Sequence, residues 1–226
     1  MTRSILVLED VSRRFVLAGG GDVTALASVY CTIKADDRIA VMGPSGSGKS
    51  TLMALMAQLD TPSSGSIAWP GFPAKEPLRP KNIGLSFQTP SLIPALTSVE
   101  NVEVPLLILG GEMQVRKQAI KALEYFELDH LANRLPEELS GGQAHRVALV
   151  RALITSPLLI LADEPTGQLD QTTGQSVIAK LIQKSEQTGA ALLIATHDHS
   201  VADKMETIWH MNHGLLEISP AKKAVP

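Results

Sequence analysis

The stretch Arg38-Ile39-Ala40-Val41-Met42-Gly43-Pro44-Ser45-Gly46-Ser47-Gly48-Lys49-Ser50-Thr51 decides how the rest of the chain is read. It begins as a short apolar run of strand type. Gly43 to Ser50 then fits the pattern G-x-x-x-x-G-K-[ST] in full. From Lys49 to Leu59, the apolar residues Leu52, Leu55, Met56 and Leu59 recur at helical spacing. Strand, glycine-rich loop and helix form the context in which this pattern binds phosphate. The glycines let the backbone curl until its N–H groups converge on phosphate oxygens, and the helix start adds positive potential. Gly43, Pro44, Ser45, Gly46, Ser47, Gly48, Lys49, Ser50 and Thr51 are therefore the candidate nucleotide-binding set. Lys49 would reach the β- and γ-phosphates, and Ser50 would ligate Mg²⁺.

Further along, Leu158-Leu-Ile-Leu-Ala-Asp163-Glu164 ends a buried apolar strand on two carboxylates. An acid at that place suits the second half of a magnesium site, held through water by Asp163. Glu164, one residue on, suits a general base that orients an attacking water.

The remaining pattern is that of an α/β chain. Strands are expected over Ser4–Val11 with continuation through Arg13–Val16, as a pair within Val23–Ile33, and over Ile83–Phe87, Leu158–Ala162 and Ala191–Ala195. A hairpin at Asn212-His213-Gly214 is expected to join Thr207–Met211 to Leu215–Ile218, with a loose tail from Ser219. Helices are expected over Glu112–Glu127, Gly142–Ile154 and Thr172–Gln187. Several strands are wholly apolar, which predicts a parallel sheet covered on both faces. The segment Ser66–Lys81 holds Pro70, Pro73, Pro77 and Pro80 and reads as an irregular excursion around an edge strand. Thr89 to Pro157 is helix-rich with little strand signal and reads as an insertion in the α/β core.

Composition bounds the function. The chain has 226 residues, 20 Lys+Arg and 23 Asp+Glu, for a net charge of −3. That balance argues against a nucleic-acid protein held by a basic surface. The single cysteine, Cys31, excludes an intrachain disulfide and a Cys-rich zinc site, and a reducing compartment is expected. The apolar runs Pro157–Ala162 and Ala190–Ala195 fall far short of the roughly 20 residues a membrane span needs. Glu9 and Asp10 interrupt any N-terminal apolar run, so no signal peptide is expected. Of the six histidines, only His197 reads as functional; His145, His199 and His213 are expected on the surface.

Leu139-Ser140-Gly141-Gly142-Gln143 narrows the phosphate-binding classes. A Ser–Gly–Gly turn opening a helix offers a hydroxyl, free N–H groups and a positive helix end. The pentapeptide resembles the signature of the ABC ATPases. Other positions match that family too: Gln88 its Q-loop glutamine, Asp170 its D-loop, and His197 its switch histidine. Phe15 falls where the family places an aromatic ring against adenine. The resemblance runs from about Leu6 to Leu216 and is closest to the lipoprotein-release and macrolide-export type, through Leu59–Gly65, Leu96–Leu107 and Ala162–Asp170. Two features depart from it: Ala144 and His145 stand where relatives usually carry Gln or Glu, and segment 66–82 is short and proline-rich.

The resemblance implies a P-loop NTPase core with a mostly parallel sheet, an N-terminal antiparallel β subdomain and an inserted α-helical subdomain. Residues 1–88 and 158–226 would form the ATP-binding core and 89–157 the helical part of one domain. It implies an ATPase using ATP and Mg²⁺, with Glu164, His197 and Gln88 catalytic and Ser50, Gln88 and Asp163 at the metal. Ser140, Gly141, Gly142, Gln143 and Asp170 would serve the nucleotide of a second copy in a head-to-tail dimer. The partner driven by closure would be a transmembrane permease, with the chain peripheral on the cytoplasmic face of the membrane. The apolar stretch Leu92–Leu107, broken by Pro90, Pro94 and Pro105, cannot be one buried helix and is expected to line the permease-facing groove. A non-transport signalling ATPase acting on a cell-wall partner shares every motif. A soluble ABC protein of translation or repair fits less well, for want of a second cassette or a long coiled coil. A P-loop small-molecule kinase would leave the signature and His197 without a role.

Overall fold

Alternation along three short strands divides the interior in two. The computed structural model describes residues 3–220. Strands β3 (Arg38–Met42), β6 (Leu159–Asp163) and β7 (Ala191–Thr196) are buried over nearly their whole length. Successive side chains on a strand point to opposite faces. Ile39, Val41, Leu159, Leu161, Leu193 and Ala195 therefore enter one apolar cluster. Their neighbours Ala40, Met42, Ile160, Ala162, Leu192 and Ile194 enter another.

These strands belong to a six-stranded sheet of order β5-β6-β7-β3-β8-β9, completed by β5 (Ile83–Ser86), β8 (Thr207–Asn212) and β9 (Leu215–Pro220). Pairings from β5 through β8 are parallel, and β9 returns antiparallel to β8 across the expected hairpin turn. A second sheet, β2 (Asp22–Lys34), β1 (Ser4–Val16) and β4 (Ser64–Ala68), is antiparallel. Its apolar side, with α1 (Lys49–Met56), covers the first cluster. Helices α2 (Ser98–Ile108), α3 (Val115–Tyr125), α4 (Gly141–Leu153) and α5 (Gln171–Thr188) contribute to the second. A short α6 (His199–Ala202) follows β7.

Several expectations need correction. Val23–Ile33 is not a strand pair but part of one long strand. Its register against β1 shifts between Leu8 and Val11 and again between Val11 and Arg13; Asp10 stands at the first shift and Ser28 at the second, both with φ of 52°. The Ser28 hydroxyl bonds the Asp10 carboxylate, and the Ser28 N–H donates to Ser12 Oγ at 2.8 Å. These bonds satisfy a bulge that bends the strand without ending it. The stretch 92–107 is part loop and part helix, with α2 beginning at Ser98, but Pro105 lies inside α2 rather than breaking it. It stands near the helix end, where only the bond to the Asn101 carbonyl is lost, and its ring is buried. β9 continues past Ser219 to Pro220, and the rest of the expected loose tail lies outside the described residues. The four prolines of the 66–81 segment all follow β4, itself an edge strand.

Candidate active site

Parallel strands place their carboxyl ends, and the loops that follow them, at one edge of the sheet. β3 runs into Gly43, β5 into Phe87 and Gln88, β6 ends on Asp163, and β7 runs into His197. These four loop starts, with α1, enclose a cavity of about 600 Å³. Gly43, Ser45 to Thr51, Gln88, Asp163, Glu164 and His197 line it. Sequence reasoning missed Val23, Thr24 and Ala25, which line it from β2. The missed signal was the pairing of β1 with β2, because Val23 sits opposite Phe15.

The loop is built by close approach. Gly48 has φ of 107°, and a Cβ there would meet the Ala25 carbonyl at 2.3 Å. Only glycine satisfies both the left-handed backbone and that contact. Lys49 is largely buried, and its ammonium donates to the Gly43 carbonyl at 2.7 Å and the Pro44 carbonyl at 3.0 Å. The loop thus satisfies its own cation with backbone carbonyls. The buried hydroxyl of Ser47 has no hydrogen-bond partner among the described residues.

The carboxylates differ in their surroundings. Burial pushes the Asp163 carboxyl above its ordinary range, while a hydrogen bond with Ser50 and the charge of Lys49 act in the opposite direction. Glu164 is 8% exposed and has φ of 48°, an uncommon conformation for a residue with a side chain. Its N–H donates to the Ala195 carbonyl at 2.9 Å, and its Oε1 lies 2.9 Å from Nδ1 of His197. The His197 ring is otherwise exposed toward the cavity mouth. The donor set Ser50, Asp163 and Gln88 is one of hard oxygens, which fits Mg²⁺. Among the described residues, no cluster of three His, Cys, Asp or Glu offers a different metal site.

Other expected residues lie outside this cavity. Ser140 caps α4 by accepting from the Gln143 N–H at 3.2 Å, while Gln143 Oε1 accepts from the Ser140 N–H at 2.9 Å. Gly141 and Gly142 form the first turn above that cap. Ser140 and Gly141 are exposed. Asp170 caps α5, accepting from the Thr173 N–H at 3.0 Å; a hydrogen bond with the Thr173 side chain, and then the one from its N–H, lower the Asp170 pKa. Phe15 is not a core residue: it is 38% exposed, with the Arg13 guanidinium 4.4 Å from its ring centre. His145 was expected on the surface but is 2% exposed. Its α4 position faces inward, toward the loop after β5, and its Nε2 lies 3.1 Å from the Phe87 carbonyl. His199 and His213 are exposed as expected.

A family profile described as "ABC transporter" matches residues 26–167. The lipoprotein-releasing system ATP-binding protein LolD of Shewanella frigidimarina is 37% identical, with 97% of this chain and 95% of that protein covered. An uncharacterized ABC transporter ATP-binding protein, MJ0796 of Methanocaldococcus jannaschii, is 38% identical over 94% of this chain and 95% of its own. A solved dimeric structure of the MJ0796 ATP-binding cassette, in a post-hydrolysis state with ADP and Pi, superposes with a TM-score of 0.89 at 34% identity. It covers 97% of this chain and 100% of that one.

Asp163→Asn should stabilise the fold. An acid whose pKa is raised on folding binds its proton more tightly when folded. Its ionised form therefore weakens the fold at neutral pH, and the penalty disappears as pH falls through the raised pKa. The expected gain at neutral pH is about 1 kcal/mol, or about 3 °C in Tm, shrinking in acid. A Tm that is unchanged or lower at neutral pH would contradict this account of the site.

Proposed function

The chain belongs to the ABC transporter family and is an ATP-binding ATPase of it, and from that premise we propose that it is the motor subunit of a membrane export or extraction complex of the lipoprotein-release type. We read it as one nucleotide-binding domain, with 1–88 and 158–226 as the ATP-binding core and 89–157 as the helical signature part. Two copies would close head to tail on two ATP molecules and drive a separate permease from the cytoplasmic face of the membrane.

One observation carries this reading. The cavity at the strand ends and the exposed Ser140 turn are both suited to phosphate, yet the turn does not line the cavity. A capped helix start with unused N–H groups has its partner elsewhere. A second copy brings its Ser140, Gly141, Gly142 and Gln143 to the open side of this cavity, with Asp170 beside the shared interface. The dimeric structure of the similar MJ0796 cassette supports this arrangement.

Within each site the roles follow from position. Amides of Gly43 to Gly48, with Thr51 at the helix start, cradle the phosphates. Lys49 exchanges its loop carbonyls for the β- and γ-phosphates. Ser50, Asp163 and Gln88 would hold Mg²⁺, which would supply positive charge to offset that of the phosphates. Glu164 orients the attacking water, and its contact with His197 keeps the carboxylate aimed while the ring meets the γ-phosphate. Phe15 offers its free face to adenine beside Val23.

The permease face is the apolar side of the helical part. Ile93, Leu107, Ile108, Leu109 and Met113 are exposed there, from 36% to 84%. The expected 92–107 stretch contributes to this set, which extends beyond it to Met113.

Three outcomes test this reading. Glu164→Gln should lower turnover by at least about 100-fold while an ATP-dependent dimer persists in size-exclusion chromatography; normal turnover would remove the base role. Phe15→Ala should weaken ATP binding about tenfold, as expected for a stacked base, with little change in kcat; unaltered affinity would leave the ring without an adenine contact. Ile108→Glu should abolish co-purification with a membrane protein while basal ATP turnover is kept; retained co-purification would move the permease face elsewhere.

A further inference from the structure

The loop that carries Gln88 lies between the end of β5 and the start of α2, and α4 grips it at two points. At the near end, Nε2 of His145 lies 3.1 Å from the Phe87 carbonyl, directly before Gln88. Three residues beyond Gln88, the two terminal nitrogens of Arg151 donate to the Ser91 carbonyl and to Ser91 Oγ, each at 2.8 Å. Gln88 itself is exposed and lines the phosphate cavity. The same helix begins at the Ser140 turn.

A carbonyl can only accept, so Nε2 must carry the proton. Nδ1 is then a bare acceptor, buried and without a hydrogen-bond partner among the described residues. A second proton there would put a cation in the interior, and burial pushes the ring pKa down, against the smaller opposing effects of the Phe87 hydrogen bond and the Asp163 charge. The ring is thus a neutral donor held in one tautomer. An orphaned buried nitrogen is costly, and the Phe87 bond is the contact that this arrangement secures.

We propose that His145 and Arg151 are positioning residues that clamp the Gln88 loop to α4, so that the placement of Gln88 at one nucleotide and of Ser140 at the other are set by one rigid helix. The role of Gln88 at a nucleotide rests on the function proposed above; the clamp itself is a property of the single chain.

The test separates the two. Histidine-ring nitrogen NMR on the nucleotide-free chain should show His145 as the Nε2-protonated neutral tautomer. The Nδ1-protonated form, or averaging between the two, would overturn the clamp whether or not the chain dimerises. In turnover assays, His145→Leu should lower kcat about tenfold through misplacement of Gln88, with ATP affinity changed less than about twofold. His145→Gln, whose side-chain amide can still donate to Phe87, should restore kcat to within about twofold of wild type. In a Gln88→Ala background, His145→Leu should have no further effect, because its route of action is already gone. An equal fall in both backgrounds, or Leu and Gln variants that behave alike, would reduce His145 to a packing residue. Arg151→Met should repeat the His145→Leu pattern and supplies the comparison if the Leu variant fails to fold. A wild-type chain that neither dimerises with ATP nor hydrolyses it would refute the proposed function, while the tautomer still decides the clamp.

Discussion

The register of β3 against β7, and of β7 against β6, is the constraint on which the site depends. Ala195 lies opposite Val41 on one side and opposite Asp163 on the other. Neighbouring strands sit about 4.8 Å apart, so these pairings bring three strand ends to one level. Gly43 leaves β3 just beyond Val41, and His197 leaves β7 just beyond Ala195. The 2.9 Å contact between His197 and Glu164 closes across that register. A slip of one residue would carry Val41, Leu161 and Leu193 from one apolar cluster to the opposite face. It would also withdraw Asp163 from the cavity. The packing of two cores and the aim of the carboxylates are one geometric fact.

That rigidity allows the cavity to hold groups that folding alone disfavours. Asp163 is buried with its carboxyl pKa raised, Glu164 keeps a left-handed backbone, and the Ser47 hydroxyl lacks a hydrogen-bond partner among the described residues. A strained backbone position costs about 1–3 kcal/mol, and a buried orphan donor a similar amount. Such costs persist only where the surrounding structure leaves no alternative. Here the alternatives are closed by strands buried on both faces. Lys49 illustrates the reverse case: its charge is satisfied by its own loop, through bonds that an incoming phosphate can replace.

Much of the lining of the cavity was legible because it is local. A glycine loop after an apolar strand, an acid pair after another and a histidine after a third are each written in consecutive residues. The parallel sheet was legible because its strands are apolar on both faces. What escaped was decided by contacts between segments distant in sequence. Nothing in Asp10 or Ser28 alone shows that they satisfy each other across a bulge, so β2 read as two strands. Pro105 read as a breaker because its burial against the rest of the helical layer is a tertiary fact. His145 read as a surface residue because its partner is a backbone carbonyl 58 positions away, which no side-chain pattern records. Val23, Thr24 and Ala25 reach the cavity only through the pairing of β1 with β2.

Packing alone requires small residues in the Ser140 turn. A Cβ on Gly141 would meet Oε1 of Gln168 at 2.6 Å, and one on Gly142 would meet Leu169 at 2.8 Å. The loop after β6 therefore packs directly on the first turn of α4. That loop also carries Glu164 at its start and Asp170 at its end. The α4 helix is consequently held by two loops of the core: the one after β6 at its N-terminus, and the one after β5 through His145 and Arg151. Both loops leave strands whose ends line the nucleotide cavity. α4 also packs on α2 and β5, so the Ser140 turn and the two loops that leave the cavity edge share one helix within a single chain.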